Sequence, residues 1–480
     1  MSYNDFGLGN LEMFNSGVTT AQGMNMDVAA LQKALSAGDS ANPAGMGTGG
    51  NTLQFESLET QLVDALTQRP EDFKLMKKQP KNGVGSTVHQ YTQAQDSGSI
   101  EGVNTAELGA PLASISQYER KTRNIKYFQT QREASLQANL LNPIVGSLKA
   151  EAEEERMGTH VLLKATEYTC FHGDEDAISN QPNGYPKQIR DEYSANVFDM
   201  RGARILDTAG LAVFEKAIGA ISALGGDISD AFFPYVLAQD WQKLLQDRQR
   251  FNENSSTAGM MLSTYQSMYG NSIKIAGEAG IDKMYFVKQV PTASSALLAT
   301  RPDAPTIALT PGSKTGGTGF ITATAGDYRY TVYAVSATGL VSVASTAVNA
   351  TAAAGQEVSI AITEGTLAGS GYIVCRGKKD VTTGTDVREM YKVAWAAAVT
   401  TTLDQNDELP GTAEILLMTS NGVQSTYQWD SFCDLKRFPL GATRASIPFL
   451  LLWYGTPDMK IAKFNGLIKN VGHVDIDGWF

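Results

Sequence analysis

The four histidines, His89, His160, His172 and His473, are the first residues to test for chemistry. No two stand in the His-x-x-x-His or His-Glu-x-x-His spacing that puts two zinc-binding imidazoles on one helix face. Cys170 and His172 form a Cys-x-His pair, but a zinc site needs a second pair of ligands, which the neighbouring sequence does not supply. Pro311-Gly-Ser-Lys-Thr-Gly316 looks like a phosphate-binding loop, yet it lacks the leading glycine of that motif and reads as a tight turn. No Gly-x-Ser-x-Gly elbow is flanked by strand and helix. Glu151, Glu153, Glu154 and Glu155 crowd four carboxylates together, but calcium sites draw their oxygens from a looped backbone and this stretch reads as continuous helix. The sequence therefore predicts no enzyme, no cofactor and no metal.

The elements that carry these residues say more. The chain has 480 residues, 42% hydrophobic and 19% charged, enough to fold into two or three domains and too apolar for disorder. Its net charge of -11 suits it poorly to coating DNA, which needs clustered Lys and Arg, but suits a container that must not stick to its contents. Cys170, Cys375 and Cys433 are odd in number and far apart, as expected of reduced thiols in a cytoplasm. The first residues show no basic-then-apolar signal, and the longest late apolar run, Ile447 to Tyr454, is too short to span a bilayer and reads as a buried strand.

Residues 1–80 read as an arm rich in Gly, Asn, Ser and Met, with short helical patterns at Val28–Leu35 and Leu58–Leu66. Lys74, Lys77, Lys78 and Lys81 form a basic strip, read as solvated or subunit-facing in preference to nucleic-acid binding. Residues 81–138 contain two extended runs, one beginning near Val84 and one from Gln117 to about Ser135, around the polar stretch Asp96–Pro111; together they predict a long hairpin. Its charges alternate in sign through Glu119, Arg120, Lys121, Arg123, Lys126, Arg132 and Glu133. So polar a hairpin has little core of its own and must lie on something else, most simply a neighbouring subunit.

Residues 139–300 begin with a long helix, capped at Asn142-Pro143 and running to about Phe171, with Ile144, Leu148, Val161, Leu162 and Ala165 as its apolar stripe. A polar loop over Asp174–Asp199, a helix over Thr208–Leu224, a buried strand over Ala231–Leu237 and a helix from Ala238 complete an α+β pattern. Composition then shifts sharply to Thr, Ala, Gly and Val over 301–411. Short strands recur there at Tyr328–Val335, Val358–Ile362, Tyr372–Arg376, Met390–Ala394 and Thr400–Leu403. They predict an all-β sandwich inserted between the first part of the core and its C-terminal part, 412–480, where strands are expected at Ile447–Tyr454 and Met459–Phe464. Tyr-x-Tyr-x-Val-Tyr-Ala-Val from Tyr328, with Gly-Tyr-Ile-Val-Cys-Arg from Gly371, resembles fibronectin type III or immunoglobulin-like modules.

The order of parts, arm, polar hairpin, long acidic helix, α+β domain and final strands, resembles the major capsid proteins of tailed bacteriophages, the Hong Kong 97-like fold. Val84-Gly-Ser-Thr-Val-His-Gln-Tyr91, Tyr118-Glu-Arg-Lys121 and Met268-Tyr-Gly-Asn-Ser-Ile-Lys-Ile275 carry this likeness over most of 53–300 and 412–480. The resemblance implies an extended loop, a spine helix, and peripheral and axial domains. It also implies self-assembly in hexamers and pentamers into an icosahedral head around double-stranded DNA, without sequence-specific DNA contact. Portal, scaffold or decoration proteins would be partners, the shell would assemble in the host cytoplasm, and the inserted sandwich would face outward. Glu119, Arg120, Lys121 and Arg123 are the candidate inter-subunit charges, with Glu153, Glu155 and Arg156 on the spine as partners. Some members of the family crosslink a hairpin lysine to a neighbour's asparagine; no lysine lies between Lys81 and Lys121, so no such mesh is expected here. An encapsulin-like compartment shares the expected fold, and a surface adhesin built on the sandwich is the reading outside it; the latter would be expected to carry a secretion signal and repeated modules.

Overall fold

The computed structural model describes residues 73–98, 101, 104–105, 107, 109–110, 113–140, 150–246, 264–282, 300–316, 319–384, 386–396, 398–420, 425–442, 444–476 and 479. The helical patterns expected at 28–35 and 58–66 and the helix start at Asn142-Pro143 lie outside them.

A short helix, α1 (Lys74–Lys78), leads into β1 (Lys81–Gly83). The hairpin follows as β2 (Val88–Asp96) and β3 (Gln117–Asn124), paired antiparallel from Val88↔Asn124 to Asp96↔Gln117. The second extended run does not stay in it. Ile125 is buried and its N–H donates to the Thr87 carbonyl, closing the hairpin base. Beyond that point β4 (Lys126–Ser135) leaves to join a four-stranded sheet of order β1-β17-β18-β4, where β17 is Tyr427–Pro439 and β18 is Ser446–Met459. The apolar run Ile447–Tyr454 explains the departure: it lies in β18, and β4 pairs along its length from Ala134 to Tyr127. The late strand is therefore longer than expected. Met459–Phe464 is not a second strand: Ala462–Phe464 is one turn of 3-10 helix, and the chain re-extends as β19 (Gly466–Val471).

After β4 a short helix, α2 (Leu136–Leu140), ends the first described stretch, and the long helix α3 spans Ala150–His172. It crosses the β4/β18 sheet at Gly158, where a Cβ would sit 2.6 Å from the Leu451 side chain. Its covered line runs Gly158, Leu162, Thr166 and Cys170, one residue every four, and Leu162 packs with Phe449 and Leu451. Val161 and Ala165, expected in the apolar stripe, fall beside that line and are exposed. The polar segment after α3, expected to be a loop, contains a helix, α4 (Tyr185–Glu192), which buries Tyr185 and Ile189.

A six-stranded sheet of order β5-β19-β16-β6-β8-β7 forms the main core; its remaining strands are β5 (Val197–Asp199), β6 (Asp230–Phe233), β7 (Thr264–Gln266), β8 (Ser272–Gly277) and β16 (Ala413–Met418). Helices α5 (Thr208–Ala223) and α6 (Tyr235–Gln246) pack on it through Phe214, Ile218, Ile221 and Trp241. The buried strand expected through Leu237 stops at Phe233. Pro234 has no N–H for the ladder, and its carbonyl instead accepts the Leu237 N–H in a helical turn.

The described residues of the inserted region form seven strands: β9 (Thr306–Ser313), β10 (Gly326–Val335), β11 (Val348–Ala352), β12 (Gln356–Thr363), β13 (Gly371–Gly377), β14 (Val387–Ala394) and β15 (Val399–Asp404). They form two sheets, β11-β10-β13-β14 and β15-β12-β9, whose facing side chains share one core: Tyr328, Tyr330 and Val332 against Val358, Ile360 and Ile362. Pro311-Gly312-Ser313 ends strand β9 instead of forming a phosphate loop; a proline is tolerated there because β9 is an edge strand. The sandwich is fastened to the core. Ala177 and Ile178, just after α3, share a buried cluster with Val335, Val341, Ile373 and Cys375. Lys392 Nζ donates to the His172 carbonyl at 2.6 Å, and the Arg388 guanidinium stacks 4.4 Å from the Trp479 ring. His473 Nε2 hydrogen-bonds the Gly411 carbonyl at 2.9 Å, holding the exit of the insertion.

Candidate assembly surface and a buried polar cluster

The hairpin β2–β3 is two strands wide; the face with Val88, Gln90, Thr92, Arg120 and Thr122 is exposed, while His89, Tyr91, Gln93, Lys121 and Arg123 on the other face are half-buried. Ile115 and Tyr118, near its distal end, are 83% and 70% exposed. A two-stranded ribbon gains little stability from its own pairing, so its position is set where its half-buried face meets the rest of the chain at the base. Arg123 provides the anchor: its Nε donates to Asp458 Oδ1 at 2.8 Å, and its other arm pairs with Glu192 at the end of α4. Tyr91 OH donates to the same Asp458 oxygen at 3.3 Å.

The seven candidate inter-subunit residues divide into three kinds. Arg123 is paired inside the chain, as above. Lys121 and Glu119 pair with each other at 3.0 Å along one strand, and that lysine, with Gln95, holds the Glu119 carboxyl below its usual range. Arg120 is exposed and has no ion-pair partner among the described residues. On the spine helix, Glu153 pairs with Arg156 one turn on at 2.6 Å, while Glu155 lies 3.4 Å from Arg437 of β17. Glu151 also pairs with Arg437, and Glu154 lies 3.5 Å from Arg132 of β4. The acidic run thus binds the helix to the sheet beneath it. The basic strip is similarly engaged: Lys74 Nζ donates to the Gly277 carbonyl at 2.7 Å, Lys78 pairs with Asp230, and Lys81 lies over the Trp453 ring.

Under the hairpin lies a group of residues that sequence spacing did not single out. His89 on β2, Asp430 on β17 and Asp458 on β18 can each place a ligand atom within 4.8 Å of the others. Both aspartates are fully buried. Each has one carboxylate oxygen occupied: Asp430 Oδ1 accepts from Asn82 at 3.0 Å and from Gln428, and Asp458 Oδ1 accepts from Arg123 and Tyr91. The second oxygen of each, and His89 Nε2, are buried without a hydrogen-bond partner. Burial raises the Asp458 carboxyl to about 6; Arg123 pulls it down, and Asp430 pushes it up again. His172 and Cys170, the other pair weighed as ligands, do not form such a group with a third residue among the described residues.

No family model matches the chain. Over 439 residues it is 24% identical to a protein described as “Putative major capsid protein” of Enterococcus phage phiEF24C, covering 88% of this chain and 90% of that one. Solved structures that resemble it include the capsid of a native GTA particle (11% identity, 90% of this chain and 100% of that chain, TM-score 0.46). Microbacterium phage Oxtober96 matches at 8% identity over 86% of this chain and 96% of that chain, TM-score 0.45. The holo-SrpI encapsulin complex from Synechococcus elongatus PCC 7942 matches at 9% identity over 88% and 94%, TM-score 0.40.

Proposed function

We propose that this chain is the major capsid protein of a tailed bacteriophage, a structural subunit with the Hong Kong 97-like organisation that self-assembles into a closed shell. The similarity to a phage protein described as a major capsid protein, which spans 88% of this chain and 90% of the other, carries the reading. The described parts are the ones such a shell uses. A polar ribbon is anchored at its base through one face, and its other face, with Gln90, Thr92, Arg120 and Thr122, is exposed and free to lie on a neighbour. A long helix is pinned to the sheet by its glutamates, and Arg120 on the ribbon is exposed and without an ion-pair partner among the described residues.

The mechanism is geometric. Copies meet through heterologous contacts, and the rotation between neighbours closes hexamers and pentamers into an icosahedral surface. Individual exposed ion pairs at such contacts contribute only about 0–1 kcal/mol, so shell strength is collective. The acidic chain encloses DNA without sequence-specific contact, and the sandwich faces outward, where it does not compete with packed DNA. Portal and scaffold proteins are partners expected of this role, and the host cytoplasm is the expected site of assembly. Negative-stain electron microscopy of the purified chain tests the reading: large icosahedral shells or their capsomers are expected. Small uniform shells holding protein cargo would favour a compartment of the encapsulin kind, and monomers under all assembly conditions would overturn both.

A further inference from the structure

We propose that His89, Asp430 and Asp458 form a binding site for one divalent transition-metal ion, zinc in the first instance, which clamps the base of the hairpin to strands β17 and β18. The three residues come from three strands, β2, β17 and β18, and each can offer a ligand atom within 4.8 Å of the others. His89 Nε2 and Asp430 Oδ2 are already 3.8 Å apart. Zinc bonds of roughly 2.0–2.2 Å hold tetrahedral donors about 3.3 Å apart, a distance that small side-chain rotations can reach.

What distinguishes the cluster from a chance meeting of acids is the state of its atoms. The outer oxygen of each aspartate is held by donors, Asn82 and Gln428 on one and Arg123 and Tyr91 on the other. That arrangement orients a carboxylate as the outer shell of a metal site does. The inner oxygens and the imidazole nitrogen are buried and unpartnered, a costly state for two carboxylates unless something positive lies between them. Arg123 cannot serve both, because its guanidinium is shared between Asp458 and Glu192. Imidazole with carboxylate oxygens suits zinc and its first-row neighbours; magnesium and calcium prefer oxygen alone. A proton on His89 is the rival occupant, and it would pair with Asp430 without drawing in Asp458.

Ion binding is a property of the single chain and does not require the shell; a role for the ion in fixing the ribbon's angle within a shell rests on the capsid reading. The test uses the full chain, unassembled, in a Cys433→Ser background so that the one thiol that is not fully buried does not bind the probe. After chelator treatment, zinc chloride is titrated by calorimetry and its effect on the melting temperature followed. Uptake of one ion per chain, a rise in melting temperature with zinc, and slowed amide exchange in 88–96 and 117–124 are expected. His89→Ala should weaken binding at least about tenfold and abolish the zinc-dependent rise. Because His89 is on the ribbon, that variant should melt like the parent in chelator, which separates lost binding from lost folding. No uptake by the parent, or equal affinity in His89→Ala, overturns the site. A melting rise at acid pH that His89→Ala removes and zinc does not reproduce assigns the pocket to a proton instead.

Discussion

Arg123 Nε donates to Asp458 Oδ1 at 2.8 Å, joining the second strand of the projecting hairpin to the end of the long strand β18. The aspartate is fully buried and the arginine half-buried, and the other arm of the guanidinium reaches Glu192. Removing one member of such a pair leaves a charge stranded and costs about 3–5 kcal/mol. Arg123→Met is therefore expected to loosen the ribbon base. Hydrogen exchange should accelerate across 88–96 and 117–124 while amides of the sandwich core keep their protection. Uniform acceleration across the chain would mean that the pair holds the whole fold and not the hairpin.

Arg120 stands on the same strand, exposed and with no ion-pair partner among the described residues. Its reversal should leave the single chain almost unchanged and act only between chains. Arg120→Glu is expected to shift the melting temperature of the unassembled chain negligibly, since an exposed charge is worth less than about 1 kcal/mol. Shell yield in a sedimentation assay should fall sharply. Full yield with the variant would remove Arg120 from the interface.

Inside the sandwich, Arg376 is fully buried between Phe320 and Tyr328, and its guanidinium donates to Asp404 at 2.6 Å and to Asn406 at 2.8 Å. Tyr330 OH donates to the same Asp404 oxygen at 2.8 Å. The network crosses from one sheet to the other. Arg376→Met alone should cost about 3–5 kcal/mol in urea unfolding, because Asp404 keeps its charge in the core. The triple variant Arg376→Met, Asp404→Leu, Tyr330→Phe removes the guanidinium, the carboxylate and the hydroxyl together, leaves only Asn406 of the network, and should recover most of that loss.

Glu167 on the long helix caps the short helix before β1: its oxygens accept the N–H groups of Leu75 at 3.0 Å and Met76 at 3.4 Å. Burial and the nearby charge of Glu278 raise its carboxyl from 4.5 to about 8, against the pull of those N–H donors. An acid raised on folding binds more protons in the native than in the unfolded chain between these two values. Its contribution is thus fully present below about pH 4.5 and is lost as pH rises to about 8. Urea midpoints should decline across that window by an amount on the order of a few kcal/mol, and Glu167→Gln should flatten the decline. An unchanged slope in the variant would assign the pH dependence elsewhere.

The ribbon segment between Lys81 and Lys121 has no lysine, so no amine there can form an isopeptide bond to a neighbour. Assembled shells boiled in detergent should run as single chains on a denaturing gel. A ladder of covalent multimers would show that a lysine elsewhere has taken that role.

Local pattern determined much of this molecule. Alternating runs on either side of Asp96–Pro111 made a hairpin, the regular spacing of Phe214, Ile218 and Ile221 made α5, and the strands from Tyr328, Val358, Tyr372, Met390 and Thr400 were each visible as short β segments. Each is a relation between residues a few positions apart, which a periodicity of two or about four records directly. The misses are cases where local signs mislead. Pro311-Gly-Ser-Lys-Thr-Gly316 reads as a tight turn, although Pro311 lies inside edge strand β9, and the segment around Tyr185–Glu192 reads as a loop because its short helix, which buries Tyr185, Pro186, Gln188 and Ile189, has few apolar residues to mark a stripe. Tertiary structure alone decided where the hairpin ends, because the pairing of Lys126–Ser135 depends on an apolar strand hundreds of residues later. It alone brought His89 to Asp430 and Asp458 and turned Arg123 inward while leaving Arg120 outside. Such meetings are set by the register of strands distant in sequence, and no spacing along the chain encodes them.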